Sequence, residues 1–424
     1  MLFRFSIYKL FLLIMLALPV LTYANETYVL AEDIESITML GNAHPPKELL
    51  VALVEGNEAF VKSMAGVVAA INSSKRHPIE LRLRIANATK EQLASLQLEQ
   101  NSQICSLSSN LNSKQDPWMR DVYKLAIAKL RGEKNPKLLI IDTNRGRDTK
   151  EIPQELHNIW KESVVLNLQN PGNKSDYGGN IEVTANDVLY TGSNLSATMR
   201  NFFSSKGYAD KMVVMKNDWL VAGHVDEQVS MVNLPNDRCG MAIVKADPLL
   251  AISIIKKQSM ISSKQLPQRY QAGSTLDFVM LLQQFVRSST KDLQKQNPRE
   301  LSPLVVAQLE SAKMIDANVA LLKQKIMEKT PACKKIKVIS LPVLFQCEDV
   351  HVLQGCVSVL PNSVNMSVLG QHLIVPDPLF APFQKYTKKA LQAAKQKVHL
   401  LDDNDCYHEN LGDIHCGTNE LRTL

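Results

Sequence analysis

Short apolar runs alternate along this sequence with longer segments whose apolar residues recur at helical spacing. Residues 137–141 and 163–168 are runs of a length typical of buried strands, and residues 195–207 have the spacing of a helix. A chain that alternates strands with helices packs the helices on its sheets, which favours one α/β unit over a string of domains. We therefore expect a single α/β domain over residues 25–424, with a mostly helical excursion around residues 250–330.

Two predicted elements lie near the start of this domain. Apolar residues within 49–71 recur close to every 3.6 positions, which predicts one helix. Residues 81–85 alternate apolar and basic side chains, which predicts a half-buried strand.

The amino terminus has the layout of a secretory signal peptide. Arg4 and Lys9 are followed by an apolar run over residues 10–21, and Ala24 follows as a small residue at a cleavage position. This run is short of the roughly 20 residues that a spanning helix needs. We therefore expect residues 1–24 to be a signal peptide, cleaved near Ala24. The mature chain is expected to be exported, periplasmic or secreted, with no membrane span after signal removal.

The composition, 45% hydrophobic and 21% charged, excludes a disordered or fibrous chain. Signal removal changes the formal charge only from +6 to +4, and no run of Lys and Arg is long enough to indicate a nucleic-acid partner. The seven cysteines include no CxxC pair, which disfavours a zinc ribbon. Their odd number leaves at least one thiol without an intramolecular partner.

A candidate site follows the apolar run over residues 219–222. This run predicts a buried strand, and the alternation of side chains along a strand would place His224 and Asp226 on one face. Strand ends often carry the sites of α/β proteins. The structural alternative, a capped strand with a surface ion pair, is equally compatible with these residue types.

Three further segments carry residues with reactive or cation-binding chemistry. Cys416 stands beside a His and a Gly, which suits a thiolate site, although a buried structural cysteine is the commoner outcome. Asp121 follows Trp118 by three residues, so a ring face and a carboxylate could form a cation pocket, or Trp118 could pack beside a simple turn. The glycine pair 178–179 predicts a tight turn and lacks the spacing of a phosphate loop. Together with His224, these segments supply one Cys, one His and two Asp residues, a set able to attack a guanidinium group.

These segments resemble the catalytic region of the protein-arginine deiminases, in order along nearly the whole predicted domain. The Gly-His-Val-Asp stretch is shared with agmatine deiminases, whereas the His-Cys-Gly-Thr-Asn and Val-Asn-Met stretches are more specific. The motifs that carry the resemblance are residues 44–48, 55–60, 118–121, 142–153, 179–183, 218–220, 223–227, 361–366, 368–370 and 415–419.

The resemblance implies a pentein fold, which is a fivefold pseudo-symmetric α/β propeller of ββαβ units. It also implies hydrolysis of peptidyl-arginine to peptidyl-citrulline with release of ammonia. In that reaction Cys416 would be the nucleophile that forms a covalent thiouronium, and His224 would be the general acid and base. Asp121 and Asp226 would hold the substrate guanidinium, and Trp118 would wall the pocket.

The resemblance also assigns residues around this centre. Arg145 and Arg147 match arginines that bind the substrate backbone, which would favour peptides over free arginine. Asp142 and Glu182 stand at positions that bind calcium in animal members of the family.

Other expected calcium ligands are replaced. Arg120, Val122 and Lys124 stand where the family has amide and carboxylate ligands, and basic side chains disfavour a divalent cation. We therefore expect no required cofactor and an activity that depends weakly or not at all on calcium.

Two alternatives remain open at this point. A related pentein could act on a small guanidine such as agmatine or free arginine. The chain could also be a non-catalytic binding protein on the same scaffold, although the complete set of Cys, His and two Asp residues disfavours this. The expected partners are arginine-containing proteins or peptides.

Overall fold

The structure is a computed structural model that describes residues 27–74, 80–98, 103–107, 116–145, 151–168, 173–258 and 301–423. The predicted signal peptide and Arg147 lie outside the described residues, as do residues 259–300 of the predicted helical excursion.

Strands and helices alternate along the described chain. The strands are β1 (Tyr28–Val29), β2 (Ile34–Met39), β3 (Pro46–Ala52), β4 (Arg82–Ala86), β5 (Ile104–Ser106), β6 (Tyr123–Leu130), β7 (Lys137–Asp142), β8 (Ser163–Asn167), β9 (Ile181–Val183), β10 (Leu189–Gly192), β11 (Met212–Met215), β12 (Val229–Asn233), β13 (Met241–Ala246), β14 (Lys337–Leu341), β15 (Phe345–Asp349), β16 (Gln354–Ser358), β17 (Ser367–Leu369), β18 (His372–Pro376), β19 (Lys397–Leu401) and β20 (Thr418–Arg422). The helices are α1 (Glu58–Ser73), α2 (Lys90–Ser95), α3 (Ile152–Ile159), α4 (Ala197–Phe203), α5 (Pro248–Lys256), α6 (Pro303–Lys329), α7 (Ala381–Ala393) and α8 (Ile414–Gly417).

The described strands pair into six sheets, and five of these contain the same connection pattern. In each of the five, an antiparallel strand pair is followed by a helical crossover to a third strand that runs parallel to the second. The pattern occurs in β6-β7-α3-β8, β9-β10-α4-β11, β17-β18-α7-β19 and, with α5 and α6 in the crossover, β12-β13-β14. The fifth is β20-β3-α1-β4, whose first strand comes from the carboxyl-terminal end of the chain. The remaining sheet is the hairpin β15-β16.

A short helical turn precedes the first strand in four of these five units. Met119–Asp121 precedes β6, Gly178–Asn180 precedes β9, Val225–Glu227 precedes β12, and α8 precedes β20. The turn before β9 contacts the turns before β6 and β12, and α8 contacts the turn before β6. Residues that are far apart in the sequence but equivalent in the repeated pattern therefore meet.

The beginning of the domain differs from the sequence-based expectation. A helix was predicted over residues 49–71, but the helix in the structure is Glu58–Ser73. The first residues of the predicted range belong to the strand Pro46–Ala52. Almost all of that strand is buried, and a short buried strand cannot be told from a buried helix by periodicity. The strand predicted over residues 81–85 is present as β4, but it is more buried than expected because Arg84 forms an ion pair with Glu48 at 2.6 Å.

The structure contains free cysteines, as the odd number of cysteines in the sequence requires. Cys239 is bonded to Cys333 and Cys347 to Cys356, whereas Cys105, Cys406 and Cys416 are free thiols. Among the helices that the structure describes, none has both the length and the apolar character needed to cross a bilayer.

Candidate active site

Four side chains indicated by the sequence meet where the turns before β6, β12 and β20 come together. Asp121 ends the first turn, His224 and Asp226 belong to the second, and Cys416 lies in α8. Sγ of Cys416 is 3.7 Å from Oδ2 of Asp226, and Nδ1 of His224 is 3.9 Å from Oδ1 of Asp121. All four residues are buried. The structure therefore brings the predicted Cys, His and Asp residues into one cluster.

The local reason for the position of His224 differs from the expected one. The prediction of a strand over residues 219–222 is wrong, because the segment is a turn in which Leu220 makes a single bridge to Cys356. His224 instead caps the 3-10 turn that contains Asp226. The two side chains share a site because this turn folds them together, not because they alternate along a strand.

Hydrogen bonds fix the tautomer of the His224 ring. Its Nε2 lies 2.9 Å from the carbonyl oxygen of Lys174, and a carbonyl can only accept, so Nε2 carries a proton. The backbone N–H of His224 donates to the carboxylate of Glu227 at 2.9 Å. In the neutral ring, Nδ1 is therefore an acceptor on the side of Asp121, which suits a group that takes and returns protons.

Three polar atoms of this cluster are buried without a hydrogen-bond partner. They are Oδ1 of Asp121, Nδ1 of His224 and Oδ1 of Asp226. Leaving a buried polar atom unpaired costs about 1–3 kcal/mol, so such atoms in a native site indicate a ligand that completes them. Two of the three belong to carboxylates, and the complementary ligand is therefore a cation with several N–H donors.

The charges of the empty cluster oppose formation of a thiolate. Burial raises the pKa of the Cys416 thiol well above its usual range, and the nearby Asp226 and Asp121 carboxylates raise it further. Burial also raises the pKa of Asp226 to about 8, with Glu227 adding to the shift and His224 opposing it. A bound cation would favour the charged forms of both the thiol and the carboxyl.

Two glycines before β9 stand where neighbouring atoms come too close to leave room for a side chain. A methyl group at Gly179 would lie 2.8 Å from Nδ1 of His224 and 2.8 Å from Oδ2 of Asp226, and one at Gly178 would overlap the carbonyl oxygen of Arg120. The predicted turn is present as the 3-10 turn Gly178–Asn180. The absence of a side chain at Gly179 keeps the space between His224 and Asp226 open, and its absence at Gly178 lets this turn pack against Arg120.

Trp118 lies beside Cys416. A methyl group at Gly412 would lie 2.4 Å from the Trp118 ring and 3.2 Å from Cβ of Cys416, so the indole and the cysteine flank one glycine. The ring is half-buried and packs against Tyr407 with a centroid distance of 5.7 Å. A planar group bound at Cys416 would therefore have an aromatic surface close by.

Arg145 belongs to the site, but in a different arrangement from the expected one. Its Nε and Nη2 donate to the carboxylate of Asp116 at 3.0 Å each, and its Nη1 donates to Oδ2 of Asp121. The guanidinium also lies over the Tyr177 ring, 4.9 Å from its centroid. In this arrangement Arg145 pairs with carboxylates and occupies one oxygen of Asp121.

Two residues next to the thiol were not assigned a role by the sequence. Oδ1 of Asn365 accepts the backbone N–H of Cys416 at 3.1 Å, and its carbonyl accepts that of His415 at 3.0 Å. Nδ1 of His415 lies 2.8 Å from Oδ2 of Asp226. Both residues belong to motifs that carry the resemblance, so their signal was present, but only the fold shows what they contact.

A sequence model of the protein-arginine deiminase family matches residues 37–424. The chain belongs to this family. Human protein-arginine deiminase type-4 is 24% identical over 412 residues, which cover 91% of this chain and 53% of that protein. Human protein-arginine deiminase type-1 is 23% identical over 419 residues, which cover 91% and 54%. The chain thus spans about half the length of these curated relatives.

Solved structures confirm the mixed α/β fold. An agmatine deiminase of C. jejuni superposes with a TM-score of 0.53 at 13% identity, covering 92% of this chain and 96% of that one. An agmatine deiminase of Enterococcus faecalis gives a TM-score of 0.50 at 12% identity, covering 93% and 97%. The deiminase-family chain therefore has a mixed α/β fold whose structural neighbours are of the pentein type.

The calcium that the family resemblance implies fits the residues of this deiminase-family chain poorly. Asp142 accepts the backbone N–H of Asn144 at 2.8 Å and the amide of Asn167 at 3.0 Å. Glu182 accepts from the Lys124 ammonium at 2.9 Å. Calcium requires oxygen ligands around it, whereas N–H donors occupy these carboxylates. Within the described ranges, no group of three or more His, Cys, Asp or Glu residues is arranged to hold a metal ion.

Proposed function

We propose that this chain hydrolyses the guanidinium group of peptidyl-arginine to peptidyl-citrulline with release of ammonia. The observation that carries the proposal is the set of three buried, unpartnered atoms beside a free thiol: Oδ1 of Asp121, Nδ1 of His224 and Oδ1 of Asp226 around Cys416. A guanidinium has a planar array of N–H donors and one positive charge, so it satisfies both carboxylates at once. Family membership supports the same chemistry.

The reaction follows from these positions. The bound cation offsets the Asp121 and Asp226 charges and favours ionisation of the Cys416 thiol, whose proton passes to Nδ1 of His224. The thiolate attacks the guanidinium carbon and forms a carbon–sulfur bond. His224 gives a proton to one terminal nitrogen, which leaves as ammonia, and a covalent thiouronium remains. His224 then takes a proton from water, which attacks the same carbon, and the carbon–sulfur bond breaks to release the ureido product and the thiolate. Trp118 shields the planar intermediate.

The remaining expectations extend this proposal. Export after cleavage near Ala24 is supported by the disulfides Cys239–Cys333 and Cys347–Cys356, because such bonds persist in oxidising compartments. A closed fivefold propeller is supported by the five sheets that share one connection pattern.

The proposal is tested by measuring ammonia and citrulline from a blocked arginine peptide with the parent chain and with Cys416→Ala. We expect the variant to lose essentially all turnover. Cys105→Ala is the matched control, because Cys105 is also a free thiol but lies on β5, outside the cluster. Equal turnover by the parent and Cys416→Ala would refute the assignment of the nucleophile.

A second substrate class is favoured by one observation. Arg145, which the resemblance assigns to the peptide backbone, has its guanidinium committed to Asp116 and Asp121. A site without that backbone contact would suit a small guanidine such as agmatine or free arginine. Ammonia release can be measured with the blocked arginine peptide, with agmatine and with free arginine. The ratio of the kcat/KM values for the peptide and the small guanidines then distinguishes the two candidate functions. A higher value for either small guanidine would favour the alternative.

A further inference from the structure

Arg120 joins two parts of the candidate site that are almost 300 residues apart in the sequence. It precedes Asp121 in the turn before β6 and is buried. Its Nη2 lies 2.8 and 2.7 Å from the two carboxylate oxygens of Glu420, and its Nε donates to the carbonyl oxygen of His415 at 3.3 Å. One guanidinium thus connects the turn that carries Asp121 to the segment that carries the Cys416 thiol.

Lys124 supplies a second buried cation to the same region. Its ammonium lies 2.9 Å from Oε1 of Glu182, and both side chains are almost fully buried. The same oxygen of Glu182 is 3.7 Å from Nε2 of His415, whose Nδ1 is 2.8 Å from Oδ2 of Asp226. Lys124 therefore neutralises the carboxylate that stands behind His415 and Asp226.

The charge and the space in this region both disfavour a metal ion. The cavity between these side chains has a volume of ≈ 10 Å³, which leaves room for one water at most. Its charged lining consists of the carboxylates of Glu182 and Glu420 against the cations of Arg120, Lys124 and Arg422. The region therefore already carries an excess of positive charge, and its carboxylates, which calcium would need as ligands, already accept from Arg120 and Lys124.

We propose that Arg120 and Lys124 act as built-in positioning groups in place of a divalent metal, so that the active site is assembled without calcium. The effects that this proposal predicts on turnover rest on the proposed function, whereas its prediction about calcium binding does not. Arg120 fixes the Asp121 turn against the Cys416 helix, and Lys124 fixes β9 through Glu182. Because both charges are covalently part of β6 and its preceding turn, metal concentration has no influence on the site.

The test restores the amide and carboxylate that the family resemblance implies at these two positions. In the double variant Arg120→Gln/Lys124→Glu, the two cations are removed and one carboxylate is added beside Glu182 and Glu420. We expect this variant to bind calcium, seen as a rise in Tm and as terbium luminescence that calcium displaces. Its turnover is expected to be lower than that of the parent by about tenfold or more without calcium, and to increase when calcium is added.

The controls separate this effect from a general change of charge or loss of folding. Lys129→Glu introduces the same substitution on β6 at a side chain that is 62% exposed, and it should leave the calcium response at zero. If the double variant does not fold, the single variants Lys124→Gln and Lys124→Arg decide. The proposal expects Lys124→Gln to lower kcat with little change in KM, and Lys124→Arg to restore metal-free turnover above that level. Equal kcat in the two single variants would overturn it.

Two further results would also overturn the proposal. One is loss of parent activity in a chelator with recovery on adding calcium, because a built-in cation cannot be removed. The other is a folded double variant whose Tm, terbium signal and turnover are all indifferent to calcium. The Tm and luminescence measurements need no substrate. If the parent chain has no deiminase activity, the proposed function is refuted, but calcium binding by the double variant still tests the proposal about Arg120 and Lys124.

Discussion

Binding of a guanidinium to this site should strengthen as the pH rises, because Asp226 is protonated in the empty site at neutral pH. Burial raises the pKa of Asp226 to about 8. A cation binds the ionised carboxyl, so the fraction of competent sites increases with pH up to that value. The Kd is therefore expected to be about 50-fold higher at pH 6 than at pH 8, which corresponds to about 2.3 kcal/mol of binding free energy.

The measurement uses Cys416→Ala, which removes turnover and the titration of the thiol. Its Kd for a blocked arginine amide is determined by calorimetry between pH 6 and pH 9, a range in which the ligand guanidinium does not titrate. The matched control adds Asp226→Asn, which should bind more weakly at every pH and show no slope. A second control adds Glu227→Gln, because burial also raises the pKa of Glu227 to about 8. This variant should keep the slope.

Two results would refute this reasoning. A Kd that is the same at pH 6 and pH 8 in the Cys416→Ala background would mean that Asp226 is ionised in the empty site. A slope that survives Asp226→Asn but disappears in Glu227→Gln would mean that the other buried carboxyl controls binding.

Three further outcomes are expected. Gly179→Ala should lower kcat/KM by about 100-fold, measured by ammonia release, because the added methyl lies 2.8 Å from two proposed catalytic side chains; unchanged kcat/KM would contradict the close packing. Arg145→Met should lower the free energy of unfolding, measured in urea, by about 3–5 kcal/mol, because it removes the buried ion pairs of this guanidinium with Asp116 and Asp121. Replacing both Cys239 and Cys333 by Ser should lower it by about 2–4 kcal/mol, because that disulfide spans 94 residues, and an unchanged unfolding midpoint would contradict this.

The sequence indicated which residues meet in the candidate site better than it indicated the elements that carry them. Cys416 and His224 belong to short motifs, and such motifs can be recognised in the sequence whether the backbone forms a strand or a turn. The segment over 219–222 illustrates the difference, since its apolar residues predict a strand but pack as a turn. The strand Pro46–Ala52 was missed for a related reason, because burial of nearly every residue removes the alternation that distinguishes a strand.

Ion pairs between residues far apart in the sequence could not be predicted from motif spacing. The commitment of Arg145 to Asp116 and Asp121 spans 29 and 24 residues, and nothing in the order of these residues indicates it. The pair of Arg120 and Glu420 spans 300 residues. Sequence resemblance drew attention to Arg120 only as a departure from the family pattern, and the fold was needed to show what its guanidinium does.

The repeated connection pattern explains why such distant residues cooperate. Each proposed catalytic side chain occupies a turn immediately before the first strand of a unit, and β20 completes the unit that contains β3. Glu420 and Arg422 on β20 are buried, so this strand is part of the core. The backbone N–H of Cys416 is held by Asn365, and β20, which begins two residues later, is paired with β3, so the segment on either side of the thiol has the rigidity that a catalytic group requires.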